Sequence, residues 1–175
     1  MNANSRSIAF PKLGDFSLTM IVLVVAVAIP FFVHLIPYSG SVPIGAKLLL
    51  MFFAPLVAII LFRFQVAFVA AILAPIANYV LTEQPVLELS LLLSLELGLF
   101  TAFVYFLLQS KILRWIAAPL AYLGAKLFSS LVIGWLPLEM TSTEFWLTSV
   151  SNGLPGILIL LAINLLALQL WKNKI

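Results

Sequence analysis

Cysteine is absent from the 175 residues. That excludes a disulfide, a thiol nucleophile and a cysteine-ligated metal. A single histidine leaves no ligand cluster for a metal centre. Charge is scarce too: Asp, Glu, Lys and Arg make up 9% of the chain, against about 25% in a soluble domain. The net charge of +3 comes from dispersed basic residues that form no run, so nothing points to nucleic acid. Phosphate-cradling glycine loops, a Gly-x-Ser-x-Gly elbow, a His-Glu-x-x-His pair and a Ser–His pairing are all missing. No enzymatic activity and no cofactor is therefore expected. Any active transport by this chain would need an energy source from a partner or an ion gradient.

What the chain has in abundance is apolar sequence. Hydrophobic residues reach 64%, and the mean hydropathy is +1.22. A fold of this size cannot hide that much apolar surface from water, so lipid is the solvent for much of it. A bilayer core of about 30 Å needs about 20 apolar residues as a helix. Six such runs are expected, over about 17–37, 45–62, 65–82, 88–110, 112–135 and 152–171. The expected fold is thus an all-α integral membrane protein of six transmembrane helices, one membrane domain over residues 1–175. The first run is too long for a signal-peptide core and lacks a small-residue cleavage site, so it counts as a span.

The charges at the ends of these runs set the topology. Arg6 and Lys12 precede the first run. Arg63 follows the second, Lys111 and Arg114 the fourth, and Lys172 and Lys174 the sixth. Alternate connections therefore share one basic side, expected to be cytoplasmic, which puts both termini inside. The opposite connections carry Glu83, Glu88, Glu139 and Glu144, with Lys47 as the only cation near them. They are also the longer connections. Residues 136–151, with Phe145 and Trp146, are expected to lie as a short amphipathic piece at the outer interface.

Two charges fall inside runs. Glu96 is about eight residues from the outer start of the fourth run, and Lys126 about nine from the outer end of the fifth. At about 1.5 Å per residue, each lies roughly 12 Å deep. Ionisable groups at such depth cost at least about 2.5–3.5 kcal/mol and face protein or a water-filled cavity. A binding site in the outer leaflet and a self-neutralising ion pair both account for them. Other polar groups converge on the same leaflet: His34, Lys47, Asn78, Tyr79, Thr82, Tyr122, Ser129 and Asn152. The expected substrate-binding set is Glu96, Lys126, Lys47, Asn78, His34, Tyr122, Ser129 and Asn152. Asn164 and Thr101, near mid-membrane, are expected to bond between helices instead.

Small residues form stripes at Ala117, Ala121 and Ala125, at Ala67, Ala70, Ala71 and Ala74, and at Ala54 and Ala58. They permit close helix approach, either inside the bundle or against a partner. Pro30, Pro55, Pro75, Pro119 and Pro155 fall inside runs, where each permits a kink.

Four stretches resemble the substrate-binding S components of energy-coupling factor (ECF) transporters. They are Val42-Pro43-Ile44-Gly45-Ala46-Lys47 with Phe53-Ala54-Pro55; Ala74 to Pro85, ending Leu81-Thr82-Glu83-Gln84-Pro85; Leu95-Glu96-Leu97-Gly98; and Gly153-Leu154-Pro155-Gly156-Ile157. Glu83 stands where the family commonly has glycine, Lys47-Leu48-Leu49 replaces its His-x-Pro, and its Ala-x-x-x-Ala on the first helix is absent. The resemblance implies a subunit in the inner (plasma) membrane of a prokaryote that binds a vitamin, a vitamin precursor or a metal ion from outside. It implies that the loop after the first helix closes over the solute. It also implies docking onto a transmembrane coupling subunit with two cytoplasmic ATPases, and release when the S component topples. Lys47 and Lys126 suit an anionic group and Glu96 an amine or ring nitrogen. With one His and no Cys, a small organic solute fits better than a transition metal. The alternatives are a structural six-helix scaffold of a cell-envelope complex and a self-sufficient secondary transporter.

Overall fold

Apolar runs without water must satisfy their backbone internally, and helices do so within one segment. The computed structural model describes residues 14–34, 40, 42–133 and 141–172, and no strand occurs among them. The helices are α1 (Asp15–His34), α2 (Ile44–Leu48), α3 (Phe53–Leu61), α4 (Phe64–Thr82), α5 (Leu87–Gln109), α6 (Ala117–Ile133) and α7 (Ser142–Lys172). Short 3-10 turns, Leu50–Phe52 and Leu113–Ile116, lead into α3 and α6. Five helical segments are long and apolar enough to cross a membrane. Large apolar side chains lie bare on their outer faces, among them Phe16, Phe32, Val80, Phe106 and Leu158. A multi-pass membrane protein explains that surface, because lipid covers it.

The expected second span is not one helix. It breaks at Leu49, which takes a left-handed conformation (φ 55°, ψ 39°) between α2 and the first 3-10 turn. A bulky residue adopts that conformation only when its surroundings force it. Those surroundings are in the interior. α3 touches α1, α4, α5 and α7, while α4 packs on α1 and α5, α5 on α6, and α6 on α7. Irregular backbone is tolerated at membrane depth only when buried in protein, and Leu49 is buried.

Glycine makes room for the break. A Cβ at Gly156 of α7 would sit 2.5 Å from Leu49 Cγ and 2.7 Å from the Leu48 carbonyl carbon. The α7 backbone therefore lies directly against the irregular turn. The alanine stripes serve the same interior packing: all nine of these alanines are buried. They are spent inside the bundle, which removes them as a surface for docking a partner.

The remaining differences from expectation have local causes. α7 begins at Ser142, ten residues before the expected sixth span. Thr141 and Glu144 form a capping box: the Thr141 N–H donates to Glu144 Oε2 (3.0 Å) and the Glu144 N–H to Thr141 Oγ1 (3.3 Å). Of residues 136–151, expected as a separate interfacial piece, 136–140 lie outside the described residues and 142–151 are the first turns of one 31-residue helix. Pro119 has no N–H for the Trp115 carbonyl four residues back. Asn164 supplies the missing donor from α7, its Nδ2 reaching the carbonyls of Trp115 (3.0 Å) and Arg114 (2.9 Å). This is the expected inter-helix role, whereas Thr101 donates within its own helix, to Leu97. Replacing Asn164 by Leu removes both hydrogen bonds, including the one that stands in for the N–H Pro119 lacks, and is expected to destabilise the protein by about 1–3 kcal/mol. Thermal unfolding in detergent measures this, and an unchanged midpoint would refute the bond's importance.

At the basic end of the bundle, Arg63 reaches Asp15 at 3.1 Å and ties the α3–α4 corner to the start of α1. Both side chains are exposed, so this pair contributes little.

Candidate functional site

α5 and α6 run antiparallel and pack along their length. Residues spaced by three or four on each share a face. On α5 these are Glu96 and Phe100, and on α6 Tyr122, Lys126 and Ser129. The two faces meet. Lys126 Nζ donates to Glu96 Oε1 at 2.8 Å and lies 2.8 Å from Oε2 as well, so the ammonium straddles the carboxylate. The Ser129 hydroxyl donates to the same Oε1 at 2.7 Å. Glu96 is 1% exposed, Lys126 8% and Ser129 0%.

One aromatic ring lies on the pair, and three more pack on each other beside it. The Phe145 ring of α7 lies 4.8 Å from Lys126 Nζ, a cation–π contact. One turn further inward, Tyr122 packs edge-on to Phe52 (5.3 Å), which packs edge-on to Phe100 (5.0 Å). Phe52 belongs to the 3-10 turn that follows the Leu49 break, so the irregular segment supplies part of the floor. The Tyr122 hydroxyl donates to the Ser149 carbonyl of α7 at 3.2 Å. Gly153 allows this approach, for a Cβ there would stand 2.9 Å from that hydroxyl oxygen.

Of the expected site residues, Glu96, Lys126 and Ser129 form one cluster, with Tyr122 beneath it. Asn78 is engaged elsewhere. Its Nδ2 donates to the Gln84 carbonyl at 2.8 Å and braces the α4–α5 turn, while its Oδ1 is buried with no partner among the described residues. Lys47 is half-buried on α2, and Asn152 is half-buried on α7 next to Gly153. The His34 side chain lies outside the described residues. An apolar groove of about 320 Å³ opens between Phe68 and Ile72 of α4 and Ser94, Gly98 and Ala102 of α5, and none of the candidate residues lines it.

Phe145, Phe52 and Phe100 are the contacts that sequence reasoning missed. Phe145 has the composition of an interfacial aromatic, and the other two sit in apolar runs with no mark to set them apart. Only the fold brings them to the charges.

Chemically, the buried cluster holds a cation donor, an anionic acceptor, a hydroxyl and an aromatic face. Such a set can bind and orient a small polar molecule with a ring. Among the described residues no group of three or more His, Cys, Asp or Glu is placed to hold a metal ion. Comparison of the chain with protein-family models, curated proteins and solved structures gives no match.

Proposed function

We propose that this protein is the substrate-binding membrane subunit of an energy-coupling factor transporter. It crosses the plasma membrane of a prokaryote six times, the broken α2–α3 segment being the second crossing, with both termini in the cytoplasm. It takes a small, vitamin-like organic solute from outside. A transmembrane coupling subunit and cytoplasmic ATPases then drive delivery inward.

The observation that carries this proposal is the Glu96–Lys126 pair, buried beside aromatic rings in a domain solvated by lipid. Two charges at such depth are costly, and apolar residues of similar volume often give equal or better stability. Their presence is accounted for by a ligand that uses them: Glu96 to accept from an amine or ring nitrogen, Lys126 to meet a carboxylate or phosphate. A discontinuous span beside the pair adds support, since broken helices commonly line solute sites in transporters. So does Glu83, whose left-handed backbone (φ 57°) suits glycine, the residue the resemblance places there.

Uptake tests the proposal. Cells expressing the chain with a coupling subunit and ATPases are expected to accumulate one member of a labelled vitamin panel, and to lose uptake with Glu96→Gln. Uptake that persists without any coupling subunit would instead establish a secondary transporter. A structural scaffold is favoured by one observation, that Ser129 and Lys126 already satisfy Glu96 Oε1 internally. It predicts no uptake under either condition.

A further inference from the structure

The charged pair is sealed, with Glu96, Lys126 and Ser129 all buried. No solute reaches it unless an element moves. The covering element is the first third of α7, which touches the cluster twice: the Phe145 ring lies on Lys126, and the Ser149 carbonyl accepts from the Tyr122 hydroxyl beneath the pair.

This third of the helix differs from the rest. Residues 142–152 carry Ser142, Thr143, Thr148, Ser149, Ser151 and Asn152, whereas residues 157–163 are wholly apolar. Its N-terminus is closed by its own capping box, so it holds together as a helical unit. Its inner end meets Gly153-Leu154-Pro155-Gly156. Pro155 has no N–H for the Ser151 carbonyl, which removes one rung of the helix ladder, and glycine flanks that gap. Just inward, Gly156 is pinned against the Leu48–Leu49 backbone. Bending at this gap would move the segment outward of Gly156, with the contact at Gly156 holding the rest of α7. Among the described residues the Trp146 indole N–H is buried without an acceptor in the covered position.

We propose that residues 142–152 form a hinged wall of the site, which swings at Gly153–Pro155 to admit the solute and closes by returning Phe145 onto the charged pair. Phe145 is thereby a site residue. The proposal rests on the solute-binding function set out above. It places the moving cover on the last helix, apart from the loop after α1 to which the family resemblance assigns closure.

The test uses the natural absence of cysteine. Ser129→Cys places a single thiol beside Glu96, with Ser130→Cys as a second reporter. The probe is a small, water-soluble cationic methanethiosulfonate, and the readout is the labelling rate of the full-length protein in lipid nanodiscs. Phe145→Leu removes the cation–π contact while keeping bulk, and is expected to speed labelling roughly five- to thirty-fold, the factor for an interaction of that size. Pro155→Ala restores the missing N–H and is expected to slow it. Equal rates in all three backgrounds, or no labelling in any, would overturn the hinged wall. Solute binding is scored separately, by whether a small molecule copurifies, so failure of one does not stand for failure of the other.

Discussion

Glu96→Gln is expected to cost about 3–5 kcal/mol of stability, because it leaves the buried Lys126 ammonium without its counter-charge. Lys126→Met leaves the carboxylate with the Ser129 hydroxyl as its one hydrogen-bond donor, and is expected to be destabilising as well. The double variant Glu96→Gln/Lys126→Met removes both charges and is expected to return to within about 1 kcal/mol of wild type, since neutral packing often matches a buried pair. Unfolding in detergent, read as a double-mutant cycle, gives the coupling between the two side chains. Additive losses would show that the ion pair, though 2.8 Å long, is not an energetic unit. The double variant also separates the two meanings of the pair. If the charges only neutralise each other, it remains fully active. If they hold a solute, it folds and binds nothing.

The second large effect is expected at Gly156. A Cβ there would meet the Leu48 carbonyl carbon at 2.7 Å and its oxygen at 2.8 Å. Backbone cannot rotate away as a side chain can, so α7 must shift off the Leu49 turn. Gly156→Val is expected to cost more than about 3 kcal/mol, the upper end of ordinary overpacking. Two other glycines calibrate the result. At Gly124 the neighbour is the Phe103 ring at 3.2 Å, which can turn, so Gly124→Ala is expected to be mild. Gly14 has nothing within 4 Å, so Gly14→Ala is expected to be silent. The order Gly156, Gly124, Gly14 in thermal midpoint checks the packing of α7 on the break. A stable Gly156→Val would contradict it.

The pair was legible in the sequence for a simple reason. Consecutive antiparallel helices place residues by counting from a shared end, and Glu96 and Lys126 count to the same depth. Ser129 and Tyr122 followed from helical spacing around Lys126. The break at Leu49 was not legible, because Leu48 to Phe53 reads as an unbroken apolar run with neither Gly nor Pro to mark it. Its cause lies a hundred residues away, in the glycines of α7 that accept it. The early start of α7 was legible but overlooked: Thr141-x-x-Glu144 is a capping signal, outweighed by a Ser- and Thr-rich composition typical of loops. Asn78 has the depth of a ligand contact but serves the turn after α4, since the chain reversal there leaves the Gln84 carbonyl in need of a donor. The cover formed by Phe145 depends on how α7 packs on α6, which no local pattern specifies.

The most direct measurement is native mass spectrometry of the protein gently extracted from its own membrane, beside the Glu96→Gln/Lys126→Met variant. The proposed function predicts a small organic molecule bound one-to-one to the wild type, taken from the host or from an added vitamin panel, and absent from a double variant that is folded. A wild type that stays empty across the panel, or a double variant that keeps the molecule, would contradict a solute site built on Glu96 and Lys126.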